Sequence, residues 1–215
     1  GYLIATVTRP LLGLTGAVWQ GVSLRAIDRV GKGVRSAPRD ALLAQSVDAE
    51  DSGRAFGLHQ AMDHTGAVIG PLLASGLLAL GASVQTALLV TVVPGLLSVL
   101  TAALVNEPAV PVTAVQADIT QTHVPAGLKR LLLVFFIFGL GNSSDAFLLV
   151  RAKQLGLAVP LVPILWVVLH LSKMVWALVG GALSDRMPRH RLIIAGWLLF
   201  STSYVGFAAA THAWL

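Results

Sequence analysis

Between Arg25 and Asp40 the chain reads RAIDRVGKGVRSAPRD, seven charges in sixteen residues, and no other stretch restricts its folding as strongly. At the ~100° per residue of a helix, Arg25, Asp28, Arg29, Lys32, Arg35, Arg39 and Asp40 fall within an arc of roughly 140°. Ala26, Ile27, Val30, Val34, Ala37 and Ala41 occupy the opposite side. Around this stripe the chain is largely hydrocarbon: 55% of its 215 residues are hydrophobic and 12% charged, with a mean hydropathy of +0.78. Soluble domains carry charge on about a quarter of their residues. The composition is that of an integral membrane protein, and its span-length apolar runs are expected to make it all-α. On insertion scales a charge at the centre of a bilayer costs about 2.5 to 3.5 kcal/mol, so seven on one membrane helix are tolerable only if they face a cavity, a ligand or one another.

The formal net charge of +5 does not point to nucleic acid, because the basic residues sit in short clusters between apolar runs, where cytoplasmic loops carry them. The absence of cysteine excludes disulfides, thiol catalysis and cysteine-ligated metals. No metal-ligand cluster, no nucleophile with a placed base and no phosphate-cradling loop stands out, and Gly31-Lys32-Gly33 is too short for a P-loop. Neither an enzyme nor a cofactor or metal site is expected. The opening residues lack the basic start and small-residue cleavage site of a signal peptide. The chain begins at Gly1 and ends at Trp214-Leu215 directly after an apolar run, with Trp214 placed for a membrane interface, and it reads as an internal piece of a longer protein.

Two readings fit the first 54 residues. In one, Gly1 to Leu24 is a single span and residues 25 to 54 form a polar cytoplasmic loop. In the other, Gly13-Leu-Thr-Gly16 is a turn, residues 1 to 13 end one helix, and a second helix runs from about Trp19 to Leu43 with the stripe inside it. Hydropathy favours the first and the one-sided charges favour the second. Beyond the connection Gln45 to Arg54, spans are expected at Ala55 to Leu80, at Val84 to Val105 with a kink at Pro94-Gly95, at Leu131 to Val150, at Pro160 to Leu183, and from Leu192 to about Ala210. Asn106 to Gly127, with Pro108, Pro111 and Pro125, is too polar to span and reads as a linker. The basic loop Arg186 to Arg191 faces the cytoplasm by the positive-inside rule, and alternation puts residues 45 to 54 and 106 to 130 on the same side. Arg151 and Lys153 then fall outside.

Three motifs carry a family resemblance. Gly181-Ala-Leu-Ser-Asp185-Arg186-Met-Pro-Arg189-His-Arg191 resembles the cytoplasmic G-x-L-x-D-R-x-G-R-[RK] loop of the major facilitator superfamily, with Pro188 where that family usually has glycine. Arg25-Ala-Ile-Asp28-Arg29-Val-Gly31 is similar to the family's fourth-helix motif R-x-x-Q-G-x-G, with Asp28 and Arg29 in place of the polar residue and the first glycine. Gly66-Ala-Val-Ile-Gly70-Pro71 resembles the glycine-proline motif of antiporter members. The resemblance implies a multi-pass cell-membrane protein and a bundle of twelve helices in two six-helix halves. This chain would supply helices 3 to 6 of the first half over residues 1 to 105, a cytoplasmic linker over 106 to 130, and helices 7 to 9 of the second half over 131 to 215. It favours the second reading of the stripe.

The expected function is a secondary transporter that moves a small solute by alternating access, in a proton-coupled export mode. An organic-anion or sugar-acid importer of the same fold is the alternative, and a non-transporting membrane scaffold or sensor is a further one. Arg25, Asp28, Arg29, Lys32, Asp63, Asn142, Asp145, His170 and Lys173 are the candidates for the substrate and proton pathway, because intramembrane charges mark such pathways. Arg25 and Asp28, three residues apart, could equally be a structural ion pair, and Asp63 with His59 a protonation relay or a satisfied pair. Lys173 and Asp145 would make a gate if they met. The stripe carries five bases and two acids, an excess of three positive charges that suits an anionic solute. Arg39, Asp40, Asp185, Arg186 and Arg189 are candidates for a cytoplasmic gate, and Gly66, Gly70 and Pro71 for close helix packing.

Overall fold

A computed structural model describes residues 1–105, 125–142, 144–157 and 161–210. Among these the chain is helical throughout and forms two compact units, one drawn from Gly1–Pro108 and Trp166–Ser203, the other from Ala109–Leu165 and Tyr204–Leu215.

In the first unit α1 (Tyr2–Leu11) runs into a 3₁₀ turn at Leu12–Leu14, and α2 follows as one helix from Val18 to Gln45. The stripe is therefore helical and the loop reading of residues 25 to 54 is overturned. The turn falls at Gly13 to Gly16, and α2 starts where Gln20 Oε1 accepts from the N–H groups of Gly16 (2.9 Å) and Ala17 (3.2 Å). α1 packs against α2 and also against α5 (Val92–Ala103). Two glycines make this possible. A Cβ on Gly31 would lie 2.9 Å from Ile4 Cγ2, and one on Gly95 would lie 2.9 Å from Thr6 Oγ1.

α3 (Ser52–Ala79) ends at Gly81, whose φ of +86° lets the Gly81 and Ala82 N–H groups turn back onto the carbonyls of Leu78 and Leu77. α4 (Val84–Val90) is capped by Ser83, whose Oγ accepts from the Thr86 N–H at 3.0 Å. The expected kink appears one turn before Pro94, at Thr91 between α4 and α5. A proline withholds its N–H from the carbonyl four residues back, here Val90, and crowds it.

The second unit contains α6 (Ala126–Gly141) and α7 (Asp145–Gln154). The expected single span from Leu131 to Val150 is thus two helices. Asn142, in extended conformation, ends the first, and Asp145 opens the second, where a carboxylate suits the positive end of a helix. Arg151 Nη2 donates to the Ala210 carbonyl at 3.1 Å. Most of the expected linker lies outside the described residues, as does Trp214; Lys129 and Arg130 are already within α6.

α8 (Val162–Ser184) and α9 (Arg189–Ala209) belong to the first unit from Trp166 to Ser203. By length and composition, Val84–Ala103, Pro163–Ser184 and Arg189–Ala209 can each cross a membrane. Apart from His170 and Val68, the buried residues are small, such as Ala5, Thr6, Thr8 and Ala61, whereas Leu3, Trp19, Leu73, Phe136 and Leu199 point outward. That distribution fits hydrocarbon, in which helices associate through small residues and close packing rather than by hiding large apolar side chains.

Candidate functional site

The stripe lines a cavity. Arg25, Asp28, Arg29, Lys32 and Arg35 of α2 enclose about 390 Å³ together with Thr8 and Arg9 of α1 and residues Leu88 and Thr91 near the α4–α5 break. Asp28 is mostly buried, its side chain 15% exposed, and its Oδ1 lies 3.4 Å from Arg9 Nε. The acid therefore pairs with a base on α1, not with Arg25 on its own helix. Sequence reasoning missed Arg9 as a partner, although a lone arginine in an apolar helix signals an acid nearby. The cavity wall carries five bases, Arg9 included, and one acid.

Further along α2, Arg39 turns away from that cavity. Its Nη2 lies 2.9 Å from Asp40 Oδ1 and its Nη1 4.0 Å from Asp63 Oδ2 on α3, while His59 Nε2 lies 3.9 Å from the same Asp63 oxygen. Asp63 and His59 are thus brought together with Arg39 and Asp40. Asp63 is not a buried carboxylate: its side chain is 58% exposed.

A second junction in the unit joins α3 to α8, where the two helices approach at Gly57 and Gly181. Asp51, the residue before α3, does not cap the helix; its Oδ1 is 2.8 Å from Arg54 Nη1. The cap comes from the far side of the sequence. Asp185, in the turn after α8, accepts from the Gly53 N–H at 2.6 Å through Oδ1 and from the Arg54 N–H at 2.9 Å through Oδ2. A carboxylate on two free N–H groups at the positive end of a helix is a charge-assisted bond of the stronger kind. Side chains that the helices lack let them come this close: a Cβ on Gly57 would meet the Ala177 carbonyl and Gly181 Cα, and one on Gly181 would meet the Gly53 carbonyl and Gly57 Cα. Beside the junction Ser52, Phe56, Gln60, Gly180 and Arg189 line a cleft of about 410 Å³. Arg186 lies in the α8–α9 turn, its N–H donating to the Leu183 carbonyl. No residue other than glycine has positive φ among the described residues, so Pro188 fits the turn without strain.

Gly66 and Gly70 do not mark this contact. A Cβ on either would meet nothing within 4 Å, and both line a cavity of about 500 Å³ shared with Tyr2, Arg9, Arg35 and Pro94. Pro71 acts on its own carbonyl partner: with no N–H to offer Ala67, it leaves that carbonyl to accept from Trp166 Nε1 of α8 at 3.3 Å. One turn away His64 Nδ1 and His170 Nδ1 are 3.1 Å apart. His170 was expected at a site; His64 was not, and only the packing of α3 on α8 reveals it. Lys173 lies three residues beyond His170 on α8. Asn142 and Asp145 stand at the α6–α7 break in the second unit.

The family model of the Major Facilitator Superfamily matches residues 1–215. An uncharacterized MFS-type transporter of Methanocaldococcus jannaschii is 29% identical over 216 residues, covering 97% of this chain and 54% of the relative. Uncharacterized proteins of Mycobacterium tuberculosis and Mycobacterium bovis are each 44% identical over 96 residues, which is 44% of this chain and 24% of theirs. The chain therefore spans at most about half the length of these relatives. No solved structure gives a significant match. With its helices, its outward apolar surface and a family match along its full length, the chain is part of a multi-pass membrane protein that belongs to the Major Facilitator Superfamily, a family of transporters and not of enzymes.

Proposed function

We propose that the chain serves a secondary transporter that moves a small solute by alternating access, in which α3 and α8 belong to opposite halves of a twelve-helix bundle and their junction closes its cytoplasmic end. The observation that carries this reading is the Asp185 carboxylate on the Gly53 and Arg54 N–H groups. Such a cap is strong enough to hold two rigid bodies together, and it can be released whole because none of its donors is buried deep in one body. Proton-coupled export is the mode that the Gly66-Gly70-Pro71 sequence supports, through its likeness to antiporters. The test is Asp185→Asn in the whole protein, reconstituted in vesicles. Losing the charge weakens a bond of about 1.5 to 3 kcal/mol. Solute flux should fall about tenfold while solute binding is kept, and equal loss of both would overturn the reading.

A second observation bears on the solute. Five bases and one acid around about 390 Å³ make a cavity for an anion, which supports an organic acid such as a sugar acid as cargo. Glucuronate and its uncharged counterpart glucose separate the possibilities. Glucuronate should raise the thermal midpoint of the purified whole protein and glucose should not. The combined Arg29→Gln and Lys32→Gln variant should lose that shift. A shift of the same size with glucose, or one that survives the substitutions, removes the anion reading.

A further inference from the structure

The His64–His170 contact spans the same two helices as the Asp185 cap, but deep between them. His64 is twelve residues from the start of α3 and His170 fourteen from the end of α8, about 18 and 21 Å along helices that rise ~1.5 Å per residue. His170 is 7% exposed. The Trp166 ring lies against it, centroids 4.5 Å apart, and its indole N–H is held by the Ala67 carbonyl. Thr65 Oγ1 lies 3.2 Å from Met174 Sδ, on the next turn of the same interface.

Two Nδ1 atoms 3.1 Å apart make a hydrogen bond only when one carries hydrogen and the other a bare lone pair. The rings must therefore hold different tautomers. One added proton, at Nε2 of the donor ring, keeps the bond and makes it charge-assisted. A second must go to the acceptor's Nδ1, which sets N–H against N–H and imidazolium against imidazolium. The bond is then lost and the rings repel. Histidine is the side chain whose ordinary titration falls between pH 5 and 8. Four other charged or titratable groups lie within five residues of the pair on these helices or touch one that does. Asp63 and His59 are on α3, with Arg39 of α2 on the Asp63 carboxylate, and Lys173 is on α8. α4, which packs on α3, has no titratable residue, and those of α9 are Arg189, His190 and Arg191 at its start and Tyr204 in its last two turns.

We infer that His64 and His170 form a proton-binding site whose full protonation releases α3 from α8. This deepens the alternating-access reading and rests on it. The pair would be the place where protons from water act on the closed state, while the Asp185 cap secures its cytoplasmic end.

The test uses the whole protein with any native cysteines removed and spin labels at Ala49→Cys and Met187→Cys, both on the cytoplasmic side of the junction. The labels' separation is read at pH 8 and pH 5, which requires no solute and no flux. Acid should raise the separated population at least tenfold. His64→Gln and His170→Gln keep a hydrogen-bonding group but take up no proton there, and should hold the closed separation at both pH values. His190→Gln, an exposed histidine at the start of α9, should respond as the parent does. An unchanged separation in the parent, a response that survives in the glutamine variants of the pair, or one that disappears in His190→Gln overturns the assignment. Asp185→Asn distinguishes the two readings, since it should separate the labels at pH 8. If it does and acid on the parent does not, the histidine pair fails and alternating access stands; if neither separates them, both fail.

Discussion

Gly181→Leu is expected to hold the α3–α8 junction open and to bring solute flux to background. A Cβ at Gly181 would lie 2.5 Å from the Gly53 carbonyl oxygen and 2.8 Å from Gly57 Cα, which are backbone atoms of a helix and cannot swing aside. α8 must move off α3, and the Asp185 cap moves with it. Overpacking of this kind costs about 1 to 3 kcal/mol. At ~1.4 kcal/mol per tenfold, the closed population should fall about five- to 150-fold. The same spin-label pair reads this at pH 8, and vesicle uptake reads the flux. Gly180→Leu is the matched control, because a Cβ there would meet nothing within 4 Å. If the two variants behave alike, the junction is not a lock.

Asp28→Ala should produce the largest loss of stability among the charged positions. It removes the one acid from a wall that also carries Arg9, Arg25, Arg29, Lys32 and Arg35. Removing one partner of a fully buried pair costs about 3 to 5 kcal/mol. Arg9 is 55% exposed, so solvent reduces this to about 1 to 3 kcal/mol here. The thermal midpoint of the purified protein should drop by several degrees. The exchange Arg9→Asp with Asp28→Arg should recover much of that loss, since it restores one base and one acid across the same gap. If Asp28→Ala and Arg9→Gln instead add without coupling, the 3.4 Å contact contributes nothing and Asp28 acts through the other bases.

The helical stripe was legible in the sequence because its charges keep to one side at helical spacing, a pattern that a loop has no reason to produce. Hydropathy misled at the same place, since an averaging window counts seven charges without regard to direction. The spans Val84–Ala103, Pro163–Ser184 and Arg189–Ala209 were legible from apolar runs, and the break near Pro94 from the proline itself, but the break at Asn142 was not. Asn142 and Asp145 interrupt one run through capping preferences that hydropathy does not weigh, and Pro94 breaks another one turn before itself. Partners separated along the chain left the weakest trace. Asp185 reads as a loop residue, and nothing near it announces that it caps a helix starting at Ser52. His64 looks like one polar residue among several until α8 is laid beside it. Gly66 and Gly70 have the spacing of a packing motif, yet Gly53, Gly57 and Gly181 make the approach, because spacing names a face and only the neighbouring helix decides which face is used.

The contact between Gly31 and Ile4 bears on which side chains of the charged face can be exchanged over evolutionary time. Gly31 lies on the flank of the charged face of α2, and the α1 side chain against it leaves no room for a Cβ. Rotation of α2 about its axis would drive Ile4 into the helix. The direction in which the face points is therefore keyed by shape, on a surface that carries no charge. Arg25, Arg29 and Lys32 are released from the task of orienting their own helix. Exchange at these three positions can alter what the cavity attracts while the scaffold continues to present whatever stands there to the same place.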